Sequence, residues 1–392
     1  MNIKVPPAHP SLEQYKKQAK DLVKAYKSND PEAIRRIKNN HPHIDKLPDS
    51  DIPNAKFALA DAQLVIAREN GFPSWAKFKE FLLFRDAVQA LDTGDIQKLE
   101  ALLDKHPWLV RYHCHKGKWY EEGYFAGATL LNHIAGNPIR VPIPSNIIDI
   151  TRLLLSRGAR DEPPRPKYTI GLLLTSKQAS EVGVALPLID LLMEAEGIEL
   201  DLTAPDILNG PLGNDAPATA EALIRRGAKM NIRHAAALGR LDLVKRFVNE
   251  GGCMKADESF IPLHEESGEA KAQMELAFIE ACMCGRTGVA EFLLDQGVDP
   301  SSQINSGQTG LHYAAHSGHL ETVKMLLERK VLLEEKNMYD GTVLGQALWS
   351  AFNEPKPDHL PIIEALITAG ARVEPDWNKW IDELRRRDSS KL

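Results

Sequence analysis

GQTGLHYAAHSGHLETVKMLLERKV, residues 307–331, is the stretch whose reading decides the fold of this chain. Leu311, Ala314 and Ala315 make one apolar face, and Leu320, Val323, Leu326 and Leu327 make a second at helical i, i+3, i+4 spacing. Ser317-Gly318-His319 separates the two. Thr309 stands where a helix N-cap belongs, its hydroxyl placed to accept a free N–H of the first turn. Each helix is too short to persist alone and has a single stripe to bury. Such a unit needs copies of itself on either side.

The copies are present. Ala281, Ala314 and Ala347 recur every 33 residues, as do Thr309 and Thr342, and Gly285 and Gly318. Thr309-Gly310-Leu311-His312-Tyr313-Ala314 and Thr342-Val343-Leu344-Gly345-Gln346-Ala347 follow the T-P-L-H-x-A template of the 33-residue ankyrin period. The chain therefore resembles the ankyrin-repeat family. GATLLNHIAGN, IIDITRLLLSRGA, GLLLTSKQASEVGVALPLIDLLMEA, LGRLDLVKRF and GTVLGQALWSAFN, in that order, are similar to one group of bacterial ankyrin-repeat proteins. The resemblance implies an all-α solenoid of stacked helix-turn-helix repeats with helical N- and C-terminal caps. It implies no activity.

Composition narrows the classes. A net charge of −6 disfavours a dedicated nucleic-acid binder, which needs a basic face. No run approaches the roughly 18 apolar residues that span a bilayer. The first residues, MNIKVPPAHPSLEQYKKQ, lack the layout of a signal peptide. Four cysteines in 392 residues make no disulfide framework. The expectation is a cytoplasmic monomer with reduced thiols and no cofactor.

In order, residues 1–83 read as a helical N-terminal region that covers the first repeat. Residues 84–373 read as about eight degenerate repeats, and residues 374–392 as a capping helix and tail. Helices are expected over Ser11 to Tyr26, from Pro31 through Ile37, over Lys56 to Glu69, and over Trp75 to Phe84. Asp86 to His106 is a degenerate first repeat, and Gly127 to Asn132 opens the next. Two insertions, Asn137 to Ser145 and Asn353 to Pro361, join paired helices and carry three prolines each. Gly252 to Lys271 reads as a charged loop. In the last helix Trp377, Trp380, Ile381 and Leu384 are expected to face inward.

Function is expected where the template leaves residues free. The exposed first-helix positions lie two and three places after the aligned alanine. They are Met283 and Cys284, His316 and Ser317, and Trp349 and Ser350, with Ser176, Lys177 and Asn137 in earlier units. Tyr313 and Asn353 adjoin them. Large side chains on a solvated ladder mark recognition surfaces, so a protein or peptide partner is expected there. The alternative is an enzyme or small-ligand receptor with a pocket between the insertions and the first helices. For that, Asn132, Asn137, Lys177, Trp349 and Asn353 would be the anchors. His113, Cys114 and His115 are zinc-type ligands beside Trp119, Tyr120 and Tyr124, yet no fourth ligand stands at a familiar spacing, and an aromatic packing loop is expected instead. Cys282 and Cys284 fall on different helix faces. No G-x-S-x-G, P-loop, Rossmann glycine pattern or H-E-x-x-H is present, and no carboxylate pair is singled out, Glu122 and Asp149 included.

Overall fold

The structure, a computed structural model, describes residues 11–48, 51–115, 126–136, 142–161, 167–204, 206–249, 269–304 and 306–389. Among these residues there is no strand, only isolated bridges at Cys114–Ala128 and Gln303–Thr309. The fold is an all-α ankyrin-repeat solenoid built of two compact units. The first is Met1–Leu173 with Pro187–Gly197, and the second is Leu174–Leu186 with Ile198–Leu392.

The first unit begins with capped helices. Ser11 and Gln14 form a reciprocal capping box at the start of Leu12–Lys27, and the Asp30 carboxylate accepts the Ala33 N–H at 2.9 Å above Pro31–Asn40. Leu59–Glu69 starts three residues later than the sequence suggests. Its cap is Asp61, whose carboxylate accepts the Ala58 N–H at 2.7 Å. These helices enclose a core that includes Leu22, Ile37, Val65, Ile66 and Phe78. The Tyr26 hydroxyl reaches Ile52 O and Ala55 O at 2.5 and 2.7 Å, tying down the proline-rich connection.

Trp75–Asp92 is one continuous helix rather than a short fourth helix followed by a new repeat. Nothing in Phe84-Arg85-Asp86 breaks a helix, so the expected boundary after residue 83 falls inside it. Its C-terminal half serves as a first helix, paired with Ile96–Lys105, and the following repeat supplies a short 3₁₀ turn, Leu131–Ala135, and Ile147–Ser156. There Asn132 takes the place of the template histidine. Its Oδ1 accepts the Thr129 N–H at 2.8 Å, and its Nδ2 donates to Thr169 Oγ1 at 2.9 Å.

The second unit holds the regular repeats. Its first helices include Ile232–Ala237, Glu269–Met283, Gly310–His316 and Val343–Asn353, each packed on the next. The matching second helices are Leu241–Asn249, Thr287–Asp295, Leu320–Glu328 and His359–Thr368. Glu269–Met283 runs to 15 residues, so the end of the expected charged loop is helical. Ala235, Ala281, Ala314 and Ala347 are fully buried, since only a methyl group fits where first helices touch. The last helix, Asn378–Ser389, buries Ile381 and Leu384 but leaves Trp380 42% exposed, its edge against Phe352. Trp380 does not face inward as expected: helical spacing puts it beside Ile381, not beneath it.

Two polar devices lock the register. In the first, Thr309 Oγ1 lies 2.9 Å from His312 Nδ1, and His312 Nε2 donates across to Gly341 O at 3.3 Å. Asn231 and His234 repeat this, with His234 Nε2 reaching Asn209 Oδ1 at 2.8 Å. In the second, Ile232–Ala237, Glu269–Met283 and Gly310–His316 each end at a left-handed glycine, and a side chain of the following repeat lies over it and caps a terminal carbonyl. Arg286 Nε donates to Ala237 O (2.8 Å) over Gly239, and His319 Nε2 to Met283 O (2.9 Å) over Gly285. Lys356 Nζ donates to Ser317 O (2.8 Å) over Gly318, and His359 Nε2 to His316 O (3.0 Å). The first unit has its own case, Asn146 Nδ2 to Gly94 O at 2.8 Å. Terminal carbonyls left without a partner would cost free energy, and basic side chains there also complement the helix dipole.

Two tests follow from these contacts. A Cβ at Gly285 (φ +67°) would lie 2.6 Å from the His319 ring, whereas one at Gly297 (φ +85°) meets nothing within 4 Å. Gly285→Ala is therefore expected to cost about 2 kcal/mol or more in urea unfolding, and Gly297→Ala only about 1 kcal/mol of backbone strain. Equal losses would contradict the capping contact. Second, burial, with Arg233 adding to it, pushes His234 down from its ordinary 6.5 to about 4. Its contribution is complete above the ordinary value and is lost as the pH falls from there towards 4, where the unfolded chain binds a proton the folded one refuses. The loss at this one site should approach about 3 kcal/mol. Thermal melts of His234→Gln should show a shallower fall in Tm between pH 7 and 5 than the parent; parallel profiles would refute the assignment.

Candidate functional site

The second unit presents the C-terminal ends of its first helices along one surface, and the capping residues make that surface polar. Asp215, Met283, Cys284, Ser317, His319 and Lys356 meet around a cavity of about 50 Å³. That is room for one or two water molecules, far below the several hundred Å³ of a substrate pocket. Asp215, in the left-handed region at φ +55°, pairs with Lys177 on the neighbouring Lys177–Glu181 helix. Burial lowers the Lys356 ammonium, and burial lowers His319. Burial also pushes the Cys284 thiol up to about 12, with Glu280 adding to the shift.

Beyond Lys356 lies an aromatic step. Trp349 is 50% exposed, so the proline-bearing connection after it does not fold over the ring. The His316 ring lies beside it, centroids 6.3 Å apart and planes 32° apart. His316 is held from beneath: its Nδ1 is 2.7 Å from Ser350 Oγ and 3.3 Å from Gln346 Nε2, while its Nε2 is 3.9 Å from the Glu354 carboxylate. Burial outweighs Glu354 and keeps the imidazole below its ordinary range. Asn353 donates its Nδ2 to Trp349 O at 2.8 Å, fixing the end of the helix that carries the indole.

The residues expected from sequence are distributed unevenly. Met283, Cys284 and Ser317 gather at the cavity, with Lys177 joined to it through Asp215, and His316, Trp349 and Asn353 at the aromatic step. Tyr313 is half-buried against the core. Ser350 is fully buried and Ser176 nearly so, which removes both from any exposed ladder. Ser350 donates to Gln346 O at 2.9 Å and supports His316, and Ser176 caps its helix by accepting the Ala179 N–H at 3.1 Å. The rule of two and three places after the alanine fails at Ser350 because the His316 ring of the preceding repeat lies over it, and at Ser176 because that residue is outside Tyr168–Leu174 and caps the next helix. Asn137 lies outside the described residues, as do Trp119, Tyr120, Glu122 and Tyr124. His113 and His115 stack at 6.4 Å, Cys114 is buried, and among the described residues no group of three or more His, Cys, Asp or Glu is arranged to hold a metal.

Asp215, His319, Lys356 and Glu354 were not singled out from sequence. His319 directly follows a turn glycine of the array, and that position is the signal that could have found it; Lys356 lies within the second insertion, where no glycine marks it. Asp92, in the first unit, stands two residues before Gly94 as His316 stands two before Gly318. Burial raises its carboxyl to about 7.

With the geometry in place, the comparison with known families is direct. The family model for ankyrin repeats (three copies) matches residues 232–340 and 278–376. These segments are ankyrin repeats, a class that generally serves in protein–protein interaction. Among the described residues no helix is long and apolar enough to cross a membrane.

The shift at Cys284 has a measurable outcome. Its thiol should react with iodoacetamide near pH 7.5 at least about tenfold more slowly than an unfolded cysteine, because the thiolate is the nucleophile. Labelling of the folded chain at the urea-unfolded rate, located by peptide mass spectrometry, would contradict the burial.

Proposed function

We propose that this chain is a non-catalytic binding module, a cytoplasmic monomer that holds a protein or peptide against the first helices of its last repeats. The supporting observation is Trp349, a large aromatic ring half in solvent on a rigid helix, flanked by a histidine already fixed by cross-repeat hydrogen bonds. Exposed tryptophans on preorganised scaffolds carry a disproportionate share of binding energy. A surface ordered before the partner arrives also avoids the cost of ordering itself during binding. On this reading Met283, Cys284, Ser317 and Lys177 form the adjoining part of the contact, and Tyr313 and Asn353 its margins. Residues 374–392 close the array at its C-terminal end.

Immobilised full-length chain carrying Trp349→Ala should capture at least about tenfold less of its host-cell partner than the parent, an effect of about 1.4 kcal/mol or more. Its far-UV thermal melt should match the parent, since the indole is not in the core. Equal capture by both would overturn the surface assignment.

A further inference from the structure

The chemistry around Trp349 indicates what kind of partner group this surface takes. This inference rests on the binding surface proposed above and specifies its ligand. The indole and the Glu354 carboxylate, itself 51% exposed, both adjoin the His316 ring. Among the described residues the carboxylate has no cation to itself. His316 is 3.9 Å away and is held in its neutral range by burial. Lys356, whose charge also reaches Glu354, commits its ammonium to Ser317 O at 2.8 Å. Asn353 commits one N–H to Trp349 O, and among the described residues its Oδ1 accepts nothing. What faces solvent around the ring therefore includes an aromatic face and two acceptors, the Glu354 carboxylate and Asn353 Oδ1.

We propose that Trp349, Glu354 and Asn353 form a seat for an arginine side chain of a protein partner. A guanidinium stacks flat on the indole, where the negative face of the ring quadrupole attracts it. Its N–H fork is then directed to the Glu354 carboxylate, which adjoins the same His316 ring, and to the carbonyl oxygen of Asn353, whose side chain is bonded to the Trp349 backbone. Arginine fits better than lysine because it is planar, less strongly hydrated and offers five donors rather than a point charge. Trp349 supplies the stacking surface, Glu354 the charge and Asn353 a neutral acceptor. None of the three is in the core, so substitution leaves the repeat packing intact.

The test uses the labelled full-length chain on arrays of random hexapeptides, each pool with one fixed central residue: arginine, citrulline, lysine or leucine. Citrulline keeps the shape of arginine and removes its charge. Binding to the arginine pool should exceed binding to the citrulline and leucine pools by about tenfold, with lysine between. Trp349→Leu and Glu354→Gln should each remove at least about fivefold of the arginine-pool signal, with unchanged thermal melts. Equal binding to arginine and citrulline pools, or an arginine preference untouched by Glu354→Gln, overturns the proposal. If binding then still depends on Trp349, the surface stands and only its arginine specificity falls. If no pool binds in a Trp349-dependent way, the surface falls too.

Discussion

The second unit depends on how it satisfies the carbonyl groups at the ends of short helices. A first helix of seven residues, such as Gly310–His316, has more free terminal carbonyls than internal hydrogen bonds can absorb. Arg286, His319, Lys356 and His359, each from the following repeat, provide the missing donors. The left-handed glycines beneath them provide the space. Stacking is thus polar as well as apolar, and it has a direction. Each repeat completes the one before it, so stability passes down the chain through nearest neighbours, as expected of a one-dimensional array.

The same arrangement generates the functional surface. Capping side chains point their stems at glycine and their polar ends at the previous helix, which leaves the ends of the first helices lined with fixed polar groups. His316 shows the coupling most directly. Its backbone carbonyl is capped by His359, its ring is propped by Ser350, and its outer edge adjoins Trp349 and Glu354. A residue that stabilises the stack at its backbone presents a recognition group at its side chain.

Much of this was legible in the sequence, and the limits have physical causes. The 33-residue recurrence of alanine, threonine and glycine is forced by helix contacts, caps and turns, so the array could be read from it. Trp349, His316 and Met283 could be reached by counting from Ala347, Ala314 and Ala281. Ser350 could not be placed, because its burial depends on the His316 ring of the preceding repeat. Lys356 was hidden by an insertion that shifts it off the period while its side chain returns to the expected glycine. The single helix Trp75–Asp92 joins what pattern divided, since periodicity marks faces and not the ends of a helix that lacks a breaker. The pairing of Glu354 with a neutral histidine is three-dimensional information that no spacing encodes.

The last repeat carries one departure with a longer reach. Where the template places histidine, this chain has Gly345, and the Trp377 ring occupies the space, so that even a Cβ would come within 3.2 Å of it. At Asn132 and His312 the equivalent side chain reaches forward to the following repeat, and at His234 it reaches back to Asn209. Here the space is taken by an aromatic ring from the segment that follows the repeat. A histidine restored at position 345 would have to displace that ring. One missing side chain thus exchanges a polar contact between repeats for an aromatic one with the chain that comes next.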